Sequence, residues 1–329
     1  MEVTIWAWVT FLGVILALLA LDLGVFHRSA HAVTVKEAAI WTVVWIALSL
    51  LFNLGIYVWA GPKPAIEFLT GYMIEYALSV DNIFVFVLLF TYFRVPAIYQ
   101  HRVLFWGILG ALLMRGTLIL VGAALLDQFE WIIYLFGAFL TYTGLRMAFE
   151  QEEEEELHPE GNLLVRGVRR FVPISREMHG PRFFVRIDGR SFATPLLLVL
   201  LIVESTDLIF AVDSIPAIFG ITHDPFIVFT SNICAILGLR SLYFLLAGVM
   251  GQFHYLKAGL AVILTFVGLK MLLPLLSRPF VGSLIEHELH ISNLASLGFI
   301  VTTLTTAVIA SLLRVRRLAA VEPPAEVKG

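Results

Sequence analysis

Acidic residues inside apolar segments are the feature of this sequence most able to do chemistry. Glu75 and Asp81 lie in one apolar segment, and Glu204, Asp207 and Asp213 lie in another. A carboxylate that faces lipid at mid-bilayer costs about 2.5–3.5 kcal/mol on insertion scales, so five would cost on the order of 12–17 kcal/mol. We therefore expect these side chains to face the interior of a helix bundle, where positive charge must balance them.

Two arginines and a bound cation are the candidates for that positive charge. Arg115 and Arg240 also lie in apolar segments and could pair with two of the carboxylates. About three negative charges would then remain for protons or a cation. A closed network of arginines and protonated carboxyls that only joins helices is the structural alternative. Five acids against two bases favour an ion site.

The side chains near these acids indicate a hard cation. The same segments supply hydroxyl and amide oxygens, but no histidine and no cysteine pair, since the chain has one cysteine, Cys234. Oxygen-only sites suit Mg²⁺, Ca²⁺ and Mn²⁺ and argue against zinc or copper. The residue types alone leave the three ions open. The side chains near these acids in the sequence that could supply an oxygen ligand are those of Ser79, Asn82, Ser205, Thr206, Ser214 and Asn232.

Long apolar runs place the acids in membrane-spanning helices. Of the 329 residues, 59% are apolar and 14% are charged, and the mean hydropathy is +0.90. Runs near the ~20 residues that a helix needs to cross a bilayer predict an all-α, polytopic transmembrane helix bundle. The first run is predicted to be a retained helix, because no basic cluster precedes it and no small-x-small cleavage site follows it. About nine spans are predicted, at 4–26, 38–60, 66–92, 103–126, 130–149, 194–220, 225–250, 255–275 and 291–313.

The distribution of basic residues predicts the orientation of the bundle. If the N-terminus is outside, nearly all lysines and arginines of the connections fall on the cytoplasmic side. The outer connections then hold only Lys63, Lys270 and Arg278. By the positive-inside rule we expect the N-terminus outside and the C-terminus in the cytoplasm.

Three landmarks recur in the same order and predict an internal repeat. Asp81 matches Asp213, Arg115 matches Arg240, and the motif at 144–147 (GLRM) matches that at 268–271 (GLKM), at offsets of 132, 125 and 124 residues. Because the two units are three spans apart, the second is inverted relative to the first. Spans 3–5 and 6–8 are therefore predicted to form an inverted-topology repeat, with a site near the midplane between them.

The repeat divides the chain into five predicted regions. The long connection is predicted to be cytoplasmic, and it begins with an acidic run, continues with several arginines and alternates around Asp188-Gly189, which is typical of a tight hairpin. It could act as a gate or regulatory element, or be a solvated charge run with a packing loop. The regions are a two-helix segment (1–65), the first repeat (66–149), the loop (150–193), the second repeat (194–275), and the last helix with a cytoplasmic tail (276–329).

Helical geometry restricts how the acids can be used. Asp81 lies six residues after Glu75, and Asp213 lies six residues after Asp207, which is about 120° around a straight helix and roughly 9 Å along it. Each helix therefore feeds two sub-sites, or it is broken near the second aspartate. Pro216 favours a break in the sixth span, because proline cannot donate to the carbonyl of Val212.

Several stretches resemble the TerC family, which is named for tellurium resistance. They are 75–82 (EYALSVDN), 204–217 (ESTDLIFAVDSIPA), 231–243 (SNICAILGLRSLY), 20–24 (ALDLG) and the loop from about 183 to 195. The resemblance implies a bacterial inner-membrane protein, similar to LysE-type exporters, associated with Mn²⁺ export, metal supply across the membrane, and tellurite or alkaline-pH phenotypes. It implies the ion-site residues Glu75, Asp81, Glu204, Asp207 and Asp213, with Asn82 and Asp22 as lesser candidates. The predicted metal site comprises these acids and the amide of Asn82, and Asp22, Arg115 and Arg240 are its lesser candidates.

Together these features predict a secondary transporter that exports a divalent metal ion by alternating access at a midplane site. The resemblance implies that the ion is Mn²⁺. Protons or Na⁺ are the candidate counter-ions, and the predicted partners are the ion and the lipid bilayer, without nucleic acid or a resident cofactor. The sequence names no protein partner. The alternatives are a membrane scaffold or insertion partner associated with metal or tellurite stress, and a Ca²⁺/cation exchanger. An enzyme is not expected, because the spans contain neither a paired nucleophile and base nor an H-E-x-x-H motif.

Overall fold

The computed structural model describes residues 4–21, 34–149, 173–175, 179–187, 189–247, 254–276 and 291–321. Within these ranges the chain forms ten helices and one β-hairpin. The helices are α1 (Ile5–Leu21), α2 (Val35–Ala60), α3 (Pro62–Tyr92), α4 (Ala97–Gln128), α5 (Ile132–Phe149), α6 (Pro195–Phe219), α7 (Pro225–Leu237), α8 (Leu239–Leu246), α9 (Leu256–Leu276) and α10 (Asn293–Val321), and the strands are β1 (Phe184–Ile187) and β2 (Arg190–Ala193).

The predicted all-α membrane bundle is confirmed. Eight helical segments of the described chain are long and apolar enough to cross a bilayer, with α7 and α8 counted as one segment. The first helix, α1, has 17 residues and is shorter than the others. Its predicted span continued to residue 26, and that continuation lies outside the described residues.

The outer surface of the bundle is apolar, as contact with lipid requires. Leu113 is 73% exposed, Ile209 is 65% exposed and Leu51 is 63% exposed, and each lies within a candidate span. In water such a surface would drive aggregation, because large apolar patches are rare on soluble monomers. Acyl chains solvate these side chains instead, so their exposure supports a membrane location.

Polar and cyclic residues mark where several helices begin. The Oγ1 of Thr34 accepts a hydrogen bond from the amide of Glu37 at 3.3 Å, and Asp224 accepts one from the amide of Phe226 at 2.9 Å. Thr194 caps α6 in the same way, from the end of the hairpin. These oxygens accept hydrogen bonds from amides that have no partner inside the helix. An amide without a hydrogen bond is costly in a bilayer. Proline also occupies the first helical position at Pro62, Pro195 and Pro225.

Helix α7 forms the centre of the bundle. Every residue from Phe226 to Leu237 is buried, and burial continues along α8 to Tyr243. Helices α2, α3 and α4 all contact α7, and α6 contacts α3 and α4. A helix that is apolar all round suits this central position, since no face of it has to meet water. The polar residues that α7 does carry must therefore find partners within the protein.

The predicted break in the sixth span is wrong. Helix α6 continues through Asp213 and Pro216 and ends at Phe219. Proline in a helix interior costs about 3 kcal/mol or more, and burial of every residue from Ser214 to Phe219 offsets that cost. The chain instead bends at Gly238, where a turn separates α7 from α8. The unbroken helix leaves Asp207 and Asp213 at separate levels of α6.

Helices α5 and α9 cross at two equivalent close contacts. A Cβ added at Gly144 would lie 2.6 Å from the backbone nitrogen of Thr265 and 2.8 Å from the oxygen of Ala261. A Cβ at Gly268 would lie 2.6 Å from the nitrogen of Thr141 and 2.7 Å from the oxygen of Gly137. The two glycines are the landmarks of the predicted repeat, and Thr141 and Thr265 are offset by the same 124 residues. This local two-fold arrangement is compatible with the inverted repeat.

The predicted hairpin at the end of the long connection is confirmed. Strands β1 and β2 pair antiparallel, with Ile187 opposite Arg190 and Phe184 opposite Ala193. Gly189 in the turn has a φ of +79°, which favours glycine. The guanidinium of Arg102 in α4 lies 5.4 Å from the centre of the Phe183 ring. The hairpin is thus attached to one end of the bundle, and the acidic run before it lies outside the described residues.

Candidate functional site

Arg115 of α4 is the centre of a buried ionic network. It is 1% exposed, and its Nε and Nη2 donate to the two oxygens of Asp207 at 3.0 and 2.7 Å. Its Nη1 donates to the Oε1 of Glu75. A bidentate pair with Asp207 and a further bond to Glu75 leave the guanidinium between two carboxylates from different helices.

Helix α7 completes this network with an amide. The Nδ2 of Asn232 donates to the Oε2 of Glu75 at 2.9 Å. Its Oδ1 lies 3.4 Å from the Nη1 of Arg115, as does the Oγ of Ser214. Four helices, α3, α4, α6 and α7, therefore meet through side chains at one buried point. Two of the residues predicted to supply oxygen ligands near the acids, Ser214 and Asn232, are part of this contact.

The paired carboxylates occupy equivalent positions in the two predicted repeats. Glu75 lies six residues before Asp81, and Asp207 lies six residues before Asp213. A single arginine thus bridges one acid from each repeat. Breaking such a buried pair by removing one partner typically costs 3–5 kcal/mol, because a buried charge is left uncompensated. The network consequently holds α3 and α6 to α4.

Glu204 lies one helical turn before Asp207, on the same side of α6, and differs from it in its partners. Its side chain packs against Gly110 of α4, where an added Cβ would overlap the carboxylate. Its Oε2 is buried and has no hydrogen-bond partner among the described residues. A buried oxygen without a donor costs about 1–3 kcal/mol. Glu204 is therefore the described carboxylate most in need of a cation or a proton.

The remaining predicted site residues lie at different places. Asn82 is 1% exposed, and Asp213 is half-buried about 9 Å along α6 from Asp207. Arg240 is buried and, with Asp207, lines a cavity of about 20 Å³. Asp81 lies in α3, but its side chain is outside the described part, as is all of Asp22.

The described carboxylates are not assembled into a ready-made metal shell. Within the described ranges, no group of three or more histidine, cysteine, aspartate or glutamate side chains is arranged to hold a metal ion. Glu75 and Asp207 are instead engaged by Arg115. The prediction that these acids bind a cation remains a prediction, and it now has to include the arginine.

A second polar cluster, which the sequence analysis did not include, lies where α3 begins. Glu67 is 7% exposed and accepts hydrogen bonds from Thr222 at 2.8 Å and from the amide of Asn293 at 3.1 Å. Lys270 donates to the Oδ1 of Asn293 at 3.0 Å. A cavity of about 800 Å³ adjoins these side chains and is also lined by His223. This is the larger of the two cavities described here.

A signal for this cluster was present in the sequence. Glu67 precedes Glu75 by two helical turns within the predicted third span, and Gly71 lies between them on the same strip of α3. A Cβ at Gly71 would lie 2.8 Å from the Oγ of Ser231, so α3 and α7 are in close contact between the cavity and the Arg115 network. The predicted orientation places Lys270 in an outer connection, but it lies within α9. Its partner Asn293 is 23 residues away, beyond the reach of local pattern reading.

Comparison with known proteins decides the family. The family model described as "Integral membrane protein TerC family" matches residues 60–319, which includes both acidic helices and Arg115. The chain belongs to the TerC family. The resemblance predicted from the motifs is thereby confirmed, and so is a multi-pass membrane protein. No solved structure gives a significant match.

Curated relatives of this TerC protein match over most of their length. The chain is 54% identical over 264 residues to the uncharacterized membrane protein STKORF319 of Myxococcus xanthus, covering 80% of this chain and 82% of that protein. It is 51% identical over 276 residues to Alx of Escherichia coli K12, named as a candidate membrane-bound redox modulator, covering 81% and 85%. An uncharacterized membrane protein of Rickettsia bellii is 37% identical over 308 residues, covering 94% and 97%.

Proposed function

We propose that this TerC-family protein is a secondary transporter that exports a divalent metal ion through the carboxylates of α3 and α6. Mn²⁺ is the first candidate for that ion. One observation carries the proposal. Glu75 and Asp207 pair with Arg115 inside membrane-spanning helices, and Glu204 lies one helical turn before Asp207 with an oxygen that has no hydrogen-bond partner among the described residues. Three carboxylates against Arg115 and the nearby Arg240 leave an excess negative charge when all are ionised. A divalent cation or protons would balance it.

The chemistry of the surrounding atoms supports a hard cation. Glu204 Oε2 and Ser79 Oγ are buried oxygens without a hydrogen-bond partner among the described residues. Carboxylate and hydroxyl oxygens suit Mg²⁺, Ca²⁺ and Mn²⁺. The choice of Mn²⁺ rests on what the family resemblance implies. A site of this charge would repel an oxyanion such as tellurite.

Exchange against protons or Na⁺ is the proposed energy source. A carboxylate cluster can trade a metal for protons, because the ligands must be deprotonated to bind. The two repeats would rock about the midplane, as in other transporters of inverted topology. With the predicted orientation, the cavity beside Glu67 lies on the outer side and serves as the exit. The close contact of Gly71 with Ser231 would then separate the exit from the network.

The name of the Escherichia coli relative points to a redox role for that protein. Nothing in the described part of this chain favours it. The 329 residues contain one cysteine, Cys234, and it is buried in α7. A redox step by an intramolecular dithiol is therefore not proposed here.

Purified protein in liposomes tests the proposal. We expect the wild type to move Mn²⁺, detected by a trapped metal-sensitive dye, and Glu204→Gln or Asp213→Asn to reduce transport to the rate of protein-free liposomes. Glu130→Gln and Asp127→Asn are matched controls, because both acids are exposed at the end of α4 and beyond it. They should transport at the wild-type rate. Normal Mn²⁺ transport by both site variants would show that the site is wrongly assigned.

The same liposomes separate the transporter from its alternatives. A membrane scaffold or insertion partner moves no ion when it is the only protein present. Uptake of Mn²⁺, Mg²⁺ and Ca²⁺ compared at two pH values would identify a Ca²⁺/cation exchanger and would show whether protons are the counter-ion. Absence of transport for all three ions by folded wild-type protein would overturn the proposed function.

A further inference from the structure

Both oxygens of Glu75 and both oxygens of Asp207 accept hydrogen bonds within the network. Each oxygen of Asp207 accepts from Arg115, at 2.7 and 3.0 Å. One oxygen of Glu75 accepts from Arg115 and the other accepts from Asn232 at 2.9 Å. A metal ion that bound both carboxylates would compete with these donors for the same oxygens.

Arg115 is the donor that a cation would displace. Its guanidinium is permanently charged, and it holds Asp207 in the bidentate geometry that favours arginine over lysine. A divalent ion coordinates oxygen at about 2.0–2.6 Å, so it would lie within a few ångströms of the guanidinium. Like charges at that separation repel strongly in a buried site. Arg115 and a divalent cation therefore compete for the pair.

The structure provides alternative partners for Arg115 during the exchange. A cavity of about 20 Å³, which is roughly the space of one water molecule, also adjoins Asp207, and Arg240 and apolar side chains line the rest of it. Ser214 Oγ and Asn232 Oδ1 lie 3.4 Å from Arg115 Nη1 and can accept its hydrogen bonds when a carboxylate is lost. The arginine thus has alternative partners without leaving the network.

We infer that Arg115 is a tethered counter-cation, which occupies the Glu75–Asp207 pair between transport events and is displaced by the transported divalent ion. The inference rests on the proposed function and adds a specificity-determining residue to it. A singly charged ion gains too little from the pair to replace a bidentate guanidinium, whereas a doubly charged ion gains about twice the Coulomb energy. Arg115 therefore selects for ionic charge.

Mn²⁺ binding to purified protein in detergent tests this role, with the electron paramagnetic resonance signal of free Mn²⁺ as the readout. Arg115→Gln removes the competing cation, so Mn²⁺ should bind about tenfold more tightly or better, since a competitor lowers apparent affinity by the fraction of sites that it blocks. Arg115→Lys keeps the charge but cannot pair with both oxygens of Asp207, and its affinity should lie between the two. Arg316→Gln is the matched control, because Arg316 is exposed at the end of α10.

Competition with Na⁺ is the second readout. We expect NaCl at about 100 mM to leave Mn²⁺ binding by the wild type nearly unchanged. The same salt should weaken Mn²⁺ binding by Arg115→Gln several-fold, because Na⁺ can occupy the carboxylates when Arg115 no longer does. A purely structural arginine would give weaker or unchanged Mn²⁺ binding in both variants, and that result overturns the inference. If Arg115→Gln does not fold, the lysine variant decides by the same criterion. Wild-type protein that neither binds nor moves a divalent ion overturns the proposed function instead.

Discussion

Replacing Gly268 with alanine should force α9 away from α5. The added Cβ would lie 2.6 Å from the backbone nitrogen of Thr141 and 2.7 Å from the oxygen of Gly137, whereas ordinary contact begins at 3.4 Å. The shortfall of about 0.8 Å involves backbone atoms, so a side-chain rotation cannot relieve it. Overpacking of this kind costs about 1–3 kcal/mol, and the higher helix propensity of alanine returns up to about 1 kcal/mol. We expect a net loss of roughly 1–2 kcal/mol.

The equivalent contact at Gly144 allows a sharper test. Gly144→Ala should cost a similar amount, because its Cβ would meet Thr265 at the same 2.6 Å. The double variant should cost less than the sum of the two single losses, since helices already separated by one methyl group have room for the second. Gly298→Ala in α10 is the control. A Cβ there meets nothing within 4 Å, so it should be neutral or slightly stabilising.

Unfolding in mixed detergent micelles, followed by tryptophan fluorescence, measures these differences. The comparison needs reversible transitions, because irreversible unfolding reports a rate rather than a free energy. If Gly268→Ala and Gly144→Ala are as stable as Gly298→Ala, the two helices do not meet at backbone contact. Strict additivity of the pair would show that the two contacts are independent rather than parts of one interface.

Two further substitutions probe the buried network. Gly110→Ala should abolish Mn²⁺ transport in liposomes, because the added methyl group would overlap the carboxylate of Glu204. Gly107→Ala should retain transport, because its Cβ would lie 3.4 Å from its nearest neighbour. Equal transport by the two variants would refute the role of the contact at Gly110. Asn232→Ala should lower the free energy of unfolding by about 1–3 kcal/mol, because one oxygen of Glu75 loses its donor, and wild-type stability would mean that this oxygen has another partner.

The membrane-spanning helices were predictable because the signal for them is local. Each apolar run long enough to cross a bilayer has to satisfy its backbone groups internally, and within one segment only a helix does so. The hairpin around Gly189 was predictable for a similar reason, since alternation and turn residues lie within ten positions. The break at Pro216 was not predicted correctly, because the proline effect is local but the packing that offsets it is not. All residues from Ser214 to Phe219 are buried by other helices.

The partners of the intramembrane acids could be predicted only in part. Composition indicated that acids outnumber arginines, and it indicated that pairing must occur inside the bundle. Which acids pair depends on how α3, α4 and α6 are rotated about their axes. Arg115 is 40 residues from Glu75 and 92 from Asp207, and nothing in the local pattern encodes those distances. The Glu67 cluster could not be predicted from the local sequence for the same reason, since Asn293 is 226 residues from Glu67.

The sequence by itself determined that this is a membrane protein of many helices with excess negative charge in two of them. Solvation is the physical reason, because the transfer of each segment into lipid depends almost entirely on its own residues. Only the tertiary structure decided that one arginine binds an acid from each of the two acidic helices, and that Glu204 is left with an oxygen without a partner among the described residues. Hydrogen bonds form within about 3 Å, and it is the packing of distant helices that brings atoms to that distance.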